Sequence, residues 1–453
     1  MFREAARGGG SYEGVSQTEL LRGGIFHTPK NPLAEAQALT AFADGGLAIQ
    51  NGRILKCADY AEVRAAYPDL PVRDLRGRFI LPGFVDTHIH FPQVRILGGL
   101  GFTLVEWLEQ VALPEEARLA DENYAATIAR EFVAALAAHG TTTALVFGSH
   151  FAPATAALFE AAAERGLRVA SGLVLSDRGL RTELRHTPQA AYDESRALLR
   201  RFHGRCRLSY AVMPRFALST SETMLEVCAA LLADHPEATF TTHINENRDE
   251  IAEVARLFPW ASDYFAVYER YSLAGRRSVF AHNVHATDEQ IRRLSGLEAS
   301  IAHCPASNAA LGSGIFPMAR HLAAGVRCAL GTDVGGGTGF GMMKEALAAY
   351  LVQRLAPEPI VLAPATMLYL ATRAGAEALG MEHETGDFSP GKSADFVVLA
   401  PPADGVLAAR LKRAGTPGQV LAALFTLAGA ESVREVRVEG QVVFGGDAGG
   451  LRE

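Results

Sequence analysis

From Leu81 onward the chain repeats one alternation of hydrophobic and polar positions. A short run of apolar and β-branched residues gives way to a longer stretch with apolar positions three and four apart, the period of an amphipathic helix. The strand-like runs are FVDTHIH (84–90), TTALVFGSH (142–150), RVASGLVLS (168–176), CRLSYAVMP (206–214), TFTTHINE (239–246), SVFAHNVH (278–285), ASIAHCP (299–305) and VRCALGTDVG (326–335). Between them lie helix-like segments such as 154–165, 221–234 and 289–296. Strands joined by crossover helices lie parallel, and eight such units predict a closed α/β architecture, a (β/α)8 TIM barrel over 81–385.

The flanks read differently. GGLAIQNGRILKCAD (45–59) sets Asn-Gly between two apolar strands, a strong hairpin signal. After the barrel, GKSADFVVLAP (391–401) and VREVRVEGQVVFGGD (433–447) again read as strand and turn. Hairpins alone are marginal, so 1–80 and 386–453 are expected to pack together as one small composite β-sandwich.

Composition narrows the function. With a net charge of -7 on 453 residues, 21% of them charged, no basic surface is offered to nucleic acid or to an anionic membrane. A small molecule is the expected partner. Cys57, Cys206, Cys228, Cys304 and Cys328 are odd in number, scattered and free of any CxxC pair, which points to core thiols in a reducing compartment. The start, MFREAARGGGSYEG, has no apolar core of a signal peptide and reads as loose chain, and no apolar run reaches the ~20 residues that span a bilayer. The expectation is a cytoplasmic protein.

Side chains alternate faces along a strand, so His88 and His90 point the same way and can reach one ion. In a lone HxH one histidine is more often a satisfied core or loop residue than a ligand. Here, however, His243 in the fifth strand, His282 in the sixth and Asp333 after the eighth also fall near C-terminal strand ends, the rim where such barrels keep their active sites. Histidines with one carboxylate suit zinc, or Fe(II), better than calcium or magnesium. Such an ion brings the pKa of a water towards neutrality, and Asp333 is placed to take or orient its proton. Glu246, three residues past His243, either faces the same cavity as a proton carrier or begins a solvated helix, with Asn245 or Asn247 near the cap.

PGFVDTHIHFPQ, MPRFALSTSE, THINENRDE, VFAHNVHATDEQ, SIAHCPASN and LGTDVGGG, in this order from about Gly45 to Gly391, resemble the guanine deaminases of the amidohydrolase superfamily. The resemblance implies a barrel with a composite β-sandwich and a single divalent metal, zinc, with iron the alternative. It implies His88, His90, His243 and Asp333 as ligands, with His282 either a further ligand or a hydrogen-bond partner of the hydroxide. Glu246 looks like the proton shuttle, with Asp333 as the second carrier. The substrate implied is guanine, deaminated at C2 to xanthine and ammonia. In the same resemblance Gln93, Arg215 and Phe216 contact the base beside His243 and Glu246. Gln93 offers a donor and an acceptor, Arg215 only donors suited to O6 or N7, and Phe216 a stacking face. Without that resemblance Arg215 reads as a salt bridge under the rim and Gln93 as a solvated loop residue. A homodimer is expected by analogy. Deamination of 8-oxoguanine, another aminopurine or a triazine, and a non-catalytic scaffold, are the alternatives. His150 and His303 sit at rim-like positions without a role, and His285 reads as a neighbour of the metal shell. GTDVGGGTGFG (331–341) lacks the Lys-Ser/Thr of a P-loop and reads as a sharp turn near the site.

Overall fold

The computed structural model describes residues 18–445. The readings of the N-terminal MFREAARGGGSYEG and the last residues of 433–447 lie outside that range. Eight parallel strand positions form the barrel: β5 (Phe84–His90), β6 (Thr141–Phe147), β7 (Arg168–Gly172) with its short continuation β8 (Val174–Leu175), β9 (Leu208–Pro214), β10 (Thr239–Ile244), β11 (Ser278–His282), β12 (Ser300–His303) and β13 (Arg327–Leu330). They pair in chain order, the parallel registers running from Phe84 opposite Thr141 to His303 opposite Leu330. The ring closes through backbone: Asp333 N–H donates to the His88 carbonyl at 2.9 Å and His90 N–H to the Val334 carbonyl at 3.1 Å.

Every predicted barrel strand is present, but most stop short of their predicted ends. The cause is conformational. Asn245, His282, Asn283 and Asp333 all have positive φ, between 48° and 70°, which ends extended structure and turns the following chain over the barrel mouth. The three predicted helices appear as Ala152–Arg165, Glu222–Asp234 and Asp288–Gly296. Ser221 and Thr287 cap the last two through hydroxyls that accept N–H bonds from the first turn. Leu158, Phe159 and Leu225 of these helices are buried in the core shared with strand residues such as Val146, Val169 and Ile301.

The two chain ends share one sheet of seven strands, built from β1 (Glu19–His27), β2 (Thr40–Gln50), β3 (Arg53–Asp59), β4 (Val72–Pro82), β14 (Phe396–Leu399), β15 (Val433–Val438) and β16 (Gln441–Gly445), in the order β16-β15-β14-β4-β1-β2-β3. The predicted hairpin is β2–β3, turning at Asn51 and Gly52 with φ of 53° and 73°. Leu21, Ile25, Leu47, Ile49, Leu75, Ile80, Phe396 and Val398 form a core of their own between these strands. The C-terminal piece is not purely β, as its sequence suggested. Helices Gly405–Lys412 and Pro417–Leu427 interrupt it and bury Leu407, Leu421, Leu424 and Phe425 in the core shared with the barrel. All five cysteines are free; Cys228, Cys304 and Cys328 are buried, Cys57 is half-buried, and Cys206 is exposed rather than in the core.

Candidate metal and active site

His88 and His90 leave β5 on one face, with Asp86 two residues earlier in the same parity. Asp86 is fully buried and accepts N–H bonds from His88 and Thr332, both at 3.1 Å, and the Thr332 hydroxyl at 2.5 Å. It ties the end of β5 to the segment after β13. Gly331 is obligatory in this seam, because a Cβ there would lie 2.7 Å from the His88 Cβ.

Donor atoms of His88, His90, His243 and Asp333 all lie within 4.8 Å of one another. His90 Nε2 is 3.3 Å from His88 Nε2 and 3.2 Å from His243 Nε2, and Asp333 Oδ1 is 3.3 Å and 3.2 Å from the first two imidazoles. A tetrahedral shell at zinc bond lengths needs donors roughly 3.3–3.6 Å apart, so the spacing fits an ion. The chemistry fits as well. His243 Nδ1–H donates to the Arg215 carbonyl at 2.6 Å, which leaves the Nε2 lone pair facing the other three groups. Burial holds His88 and His243 below the usual imidazole range and His90 down to about 4, so the rings are neutral and able to act as ligands. Burial pushes the Asp333 carboxyl up, but His88 and His90 outweigh it and keep it well below its ordinary value. Phe147 packs on His90 and His243 at 4.7 Å between ring centres.

His282 stands outside that quartet. Its Nε2 is 3.9 Å from Asp333 Oδ2 and 3.5 Å from Glu246 Oε2, and Nδ1 pairs with Asn308 Oδ1 at 2.9 Å. Glu246 is buried and is not a cap: Asn247 caps the helix Arg248–Leu257, and Glu250 closes the capping box. The Ser313 hydroxyl donates to Glu246 Oε1 at 3.2 Å. Burial, with Asp333 nearby, raises the Glu246 carboxyl to about 8.

These groups floor a cavity lined also by Gln93, Arg215, Phe216, Leu104, Trp107, Leu108 and Leu311. Gln93 is buried, not a solvated loop residue. Arg215 forms the buried salt bridge its sequence context allowed, with Glu116 at 2.7 Å, while still lining the cavity. His150 lies 3.5 Å from the same Glu116. His303 is buried against Phe316 with neither ring nitrogen hydrogen-bonded among the described residues. His285, three residues past the strand end at His282, bonds the Ser313 carbonyl at 2.8 Å, outside the donor group. Asp86, Glu116, Asn308 and Ser313 are site residues that sequence reasoning missed. Asp86 alone had a signal, its parity with His88 and His90.

The Amidohydrolase family profile matches residues 79–443, and that of an imidazolonepropionase-like composite domain of bacteria matches 45–69. The chain belongs to the amidohydrolase family. Within this family it is 55% identical to a protein of Deinococcus radiodurans described as a probable guanine deaminase, over 95% of this chain and 99% of that one. It is 38% identical to the guanine deaminase of Escherichia coli, over 93% and 95%. The solved E. coli guanine deaminase superposes with a TM-score of 0.91 at 38% identity, covering 94% of this chain and 99% of that one. The guanine deaminase of Bradyrhizobium japonicum gives 0.90 at 33% identity, over 95% and 99%.

Proposed function

We propose that this amidohydrolase is a guanine deaminase, hydrolysing guanine at C2 to xanthine and ammonia. The observation that carries the reading is the position of Glu246, a carboxyl raised to about 8 and 3.5 Å from His282, beside four converging metal donors. The relatives at 55% and 38% identity, both described as guanine deaminases, support the substrate. His88, His90, His243 and Asp333 would hold the ion; three imidazoles and one carboxylate suit zinc, with Fe(II) second. When bound, the ion supplies a Lewis acid that acidifies water at the cavity floor.

Glu246 and Asp333 then act as two proton carriers and His282 orients the water by hydrogen bonding. The water oxygen bonds to C2 while Glu246 passes a proton to N3. A second proton reaches the 2-amino nitrogen, the C–N bond breaks, ammonia leaves, and the carbonyl of xanthine forms at C2. Phe216 stacks on the base, and Gln93 and Arg215 bond its polar edge. An amino group at position 6, as in adenine, would face donors without an acceptor and be rejected by several kcal/mol, on the order of an unmade buried hydrogen bond or more.

The reading extends to the domain division 1–80, 81–385 and 386–453, and to a cytoplasmic homodimer. The last is supported by the free cysteines and by the exposed apolar Leu351, Leu355 and Val361, close in sequence; no described helix is long and apolar enough to cross a membrane. The test is to incubate metal-loaded protein with guanine, 8-oxoguanine and adenine and to follow ammonia. Guanine is expected to be turned over best; a fully metallated protein that leaves guanine untouched overturns the assignment.

A further inference from the structure

Glu116 carries no motif, yet it joins the roof of the cavity to both polar groups proposed to read the base. It lies in the short helix Leu113–Ala117, at the end of the segment whose Leu104, Trp107 and Leu108 cover the cavity. Its carboxylate is 3% exposed. Oε1 accepts Gln93 Nε2–H at 2.7 Å and Arg215 Nη1–H at 2.9 Å; Oε2 accepts Arg215 Nη1–H at 2.7 Å, with His150 Nδ1 at 3.5 Å. At its other end the Gln93 amide accepts the Gly335 N–H at 3.0 Å.

A carboxylate only accepts and a backbone N–H only donates, so these two partners leave the Gln93 amide a single orientation. One N–H remains on Nε2, and of the Arg215 donors only Nη1 is engaged by Glu116. This wall of the cavity therefore presents hydrogen-bond donors, set by an anion behind them. Burial pushes the Glu116 carboxyl up, but the Arg215 guanidinium, with the Gln93 hydrogen bond, outweighs it, so the anion persists at neutral pH.

We propose that Glu116 is a specificity-determining positioning residue, which locks Gln93 and Arg215 into a paired donor array for the acceptor edge of the base and so selects an oxo group over an amino group at position 6. The proposal rests on guanine as the substrate. It also gives His150 a place, as a neutral imidazole at the free side of the same carboxylate.

The experiment compares Glu116→Gln, Glu116→Ala and Glu116→Asp with wild type, all metal-loaded, on guanine and on 2,6-diaminopurine, which carries an amino group at position 6. An amide at 116 keeps one acceptor oxygen and sets N–H groups at the other position, facing donor N–H of Arg215 or of Gln93 and Arg215 together, which disorders the array. For Glu116→Gln and Glu116→Ala, KM for guanine is expected to rise about 10- to 100-fold, the scale of lost hydrogen bonds to a charged group, with kcat changed far less. The guanine-to-diaminopurine ratio of kcat/KM is expected to fall about tenfold, metal content to stay constant, and Glu116→Asp to recover part of the ratio. If Glu116→Ala proves insoluble, the nearly isosteric Glu116→Gln carries the test alone. Unchanged KM and ratio, or a loss of kcat equal for both purines, would assign Glu116 to packing of the roof and overturn the proposal. Such a result beside a wild type that deaminates guanine refutes this role alone; a wild type inert towards guanine refutes the proposed function and this role with it.

Discussion

Asp387 in the composite domain and Glu246 at the barrel mouth are both buried carboxyls, 2% and 4% exposed, yet their surroundings push them in opposite directions. Asp387 accepts from Lys392 Nζ at 2.6 Å and the Ser389 N–H at 2.7 Å, and pairs with Arg373. Burial alone would raise it, but those partners win and hold it below the ordinary carboxylate range. Glu246 has one hydroxyl donor, at 3.2 Å, and an acidic neighbour in Asp333, so burial wins there and lifts it to about 8. The backbone makes the same contrast. Positive φ in the composite sheet falls in turns, at Asn51 and Glu439, whereas at the mouth it falls on His282, Asn245 and Asp333 themselves. One region neutralises its buried carboxyl with cations; the other leaves Glu246 with a single hydroxyl donor and places its positive φ on residues of the site itself.

The contrast can be broken most severely by exchanging the roles. Asp333→Ala is expected to abolish turnover, a loss of more than about 10⁴ in kcat if the ion goes with it, while thermal unfolding of the metal-free protein changes little. Asp387→Ala should do the reverse: urea titration should show a loss of about 3–5 kcal/mol, for leaving the buried Lys392 without its anion and the half-buried Arg373 with Glu377 alone, with kcat per folded molecule retained. If Asp387→Ala were as stable as wild type, the composite network would not be structural. Next in size, Glu246→Gln should keep its metal, measured by emission spectrometry, and lose about 10²–10⁴ in kcat because the amide cannot carry a proton.

A smaller effect sharpens the comparison through pH. His27 is buried in the composite domain, where burial lowers it to about 4, and its Nδ1 accepts the Phe388 N–H at 3.3 Å. The unfolded chain holds more protons between that value and the ordinary imidazole pKa, so this contribution is complete above about pH 6.5 and is lost as pH falls towards 4. The share of His27 in the stability lost across that window should be about 3 kcal/mol, and His27→Gln should flatten that part of the slope. An unaltered slope would put the acid sensitivity elsewhere.

The barrel was legible because its strands are nearly continuous apolar runs, and the donor quartet because four of its members sit where those runs end. FVDTHIH announced itself by parity alone. Legibility ended where the chain leaves the strands: positive φ at His282 and Asn283 turns the backbone at the strand end, and His285, three residues on, goes to the Ser313 carbonyl rather than to the donor group. The roof of the cavity is built from short helices between Leu104 and Ala117, including one irregular wide turn over Leu108–Ala112, and such segments carry no sustained period. Glu116 was invisible for that reason: its partners, Gln93 and Arg215, come from the ends of two distant strands. In the C-terminal piece the helices at 405–427 were passed over because the flanking strands dominated the pattern.

The most direct test of the central claim is to strip the protein with a chelator, add zinc stepwise, and record ammonia release from guanine against metal bound. The account predicts activity that rises linearly and saturates at one equivalent per chain, with His88→Ala binding no equivalent and releasing none. A protein that binds its one equivalent and releases no ammonia, or deaminates guanine equally well when stripped, would contradict it.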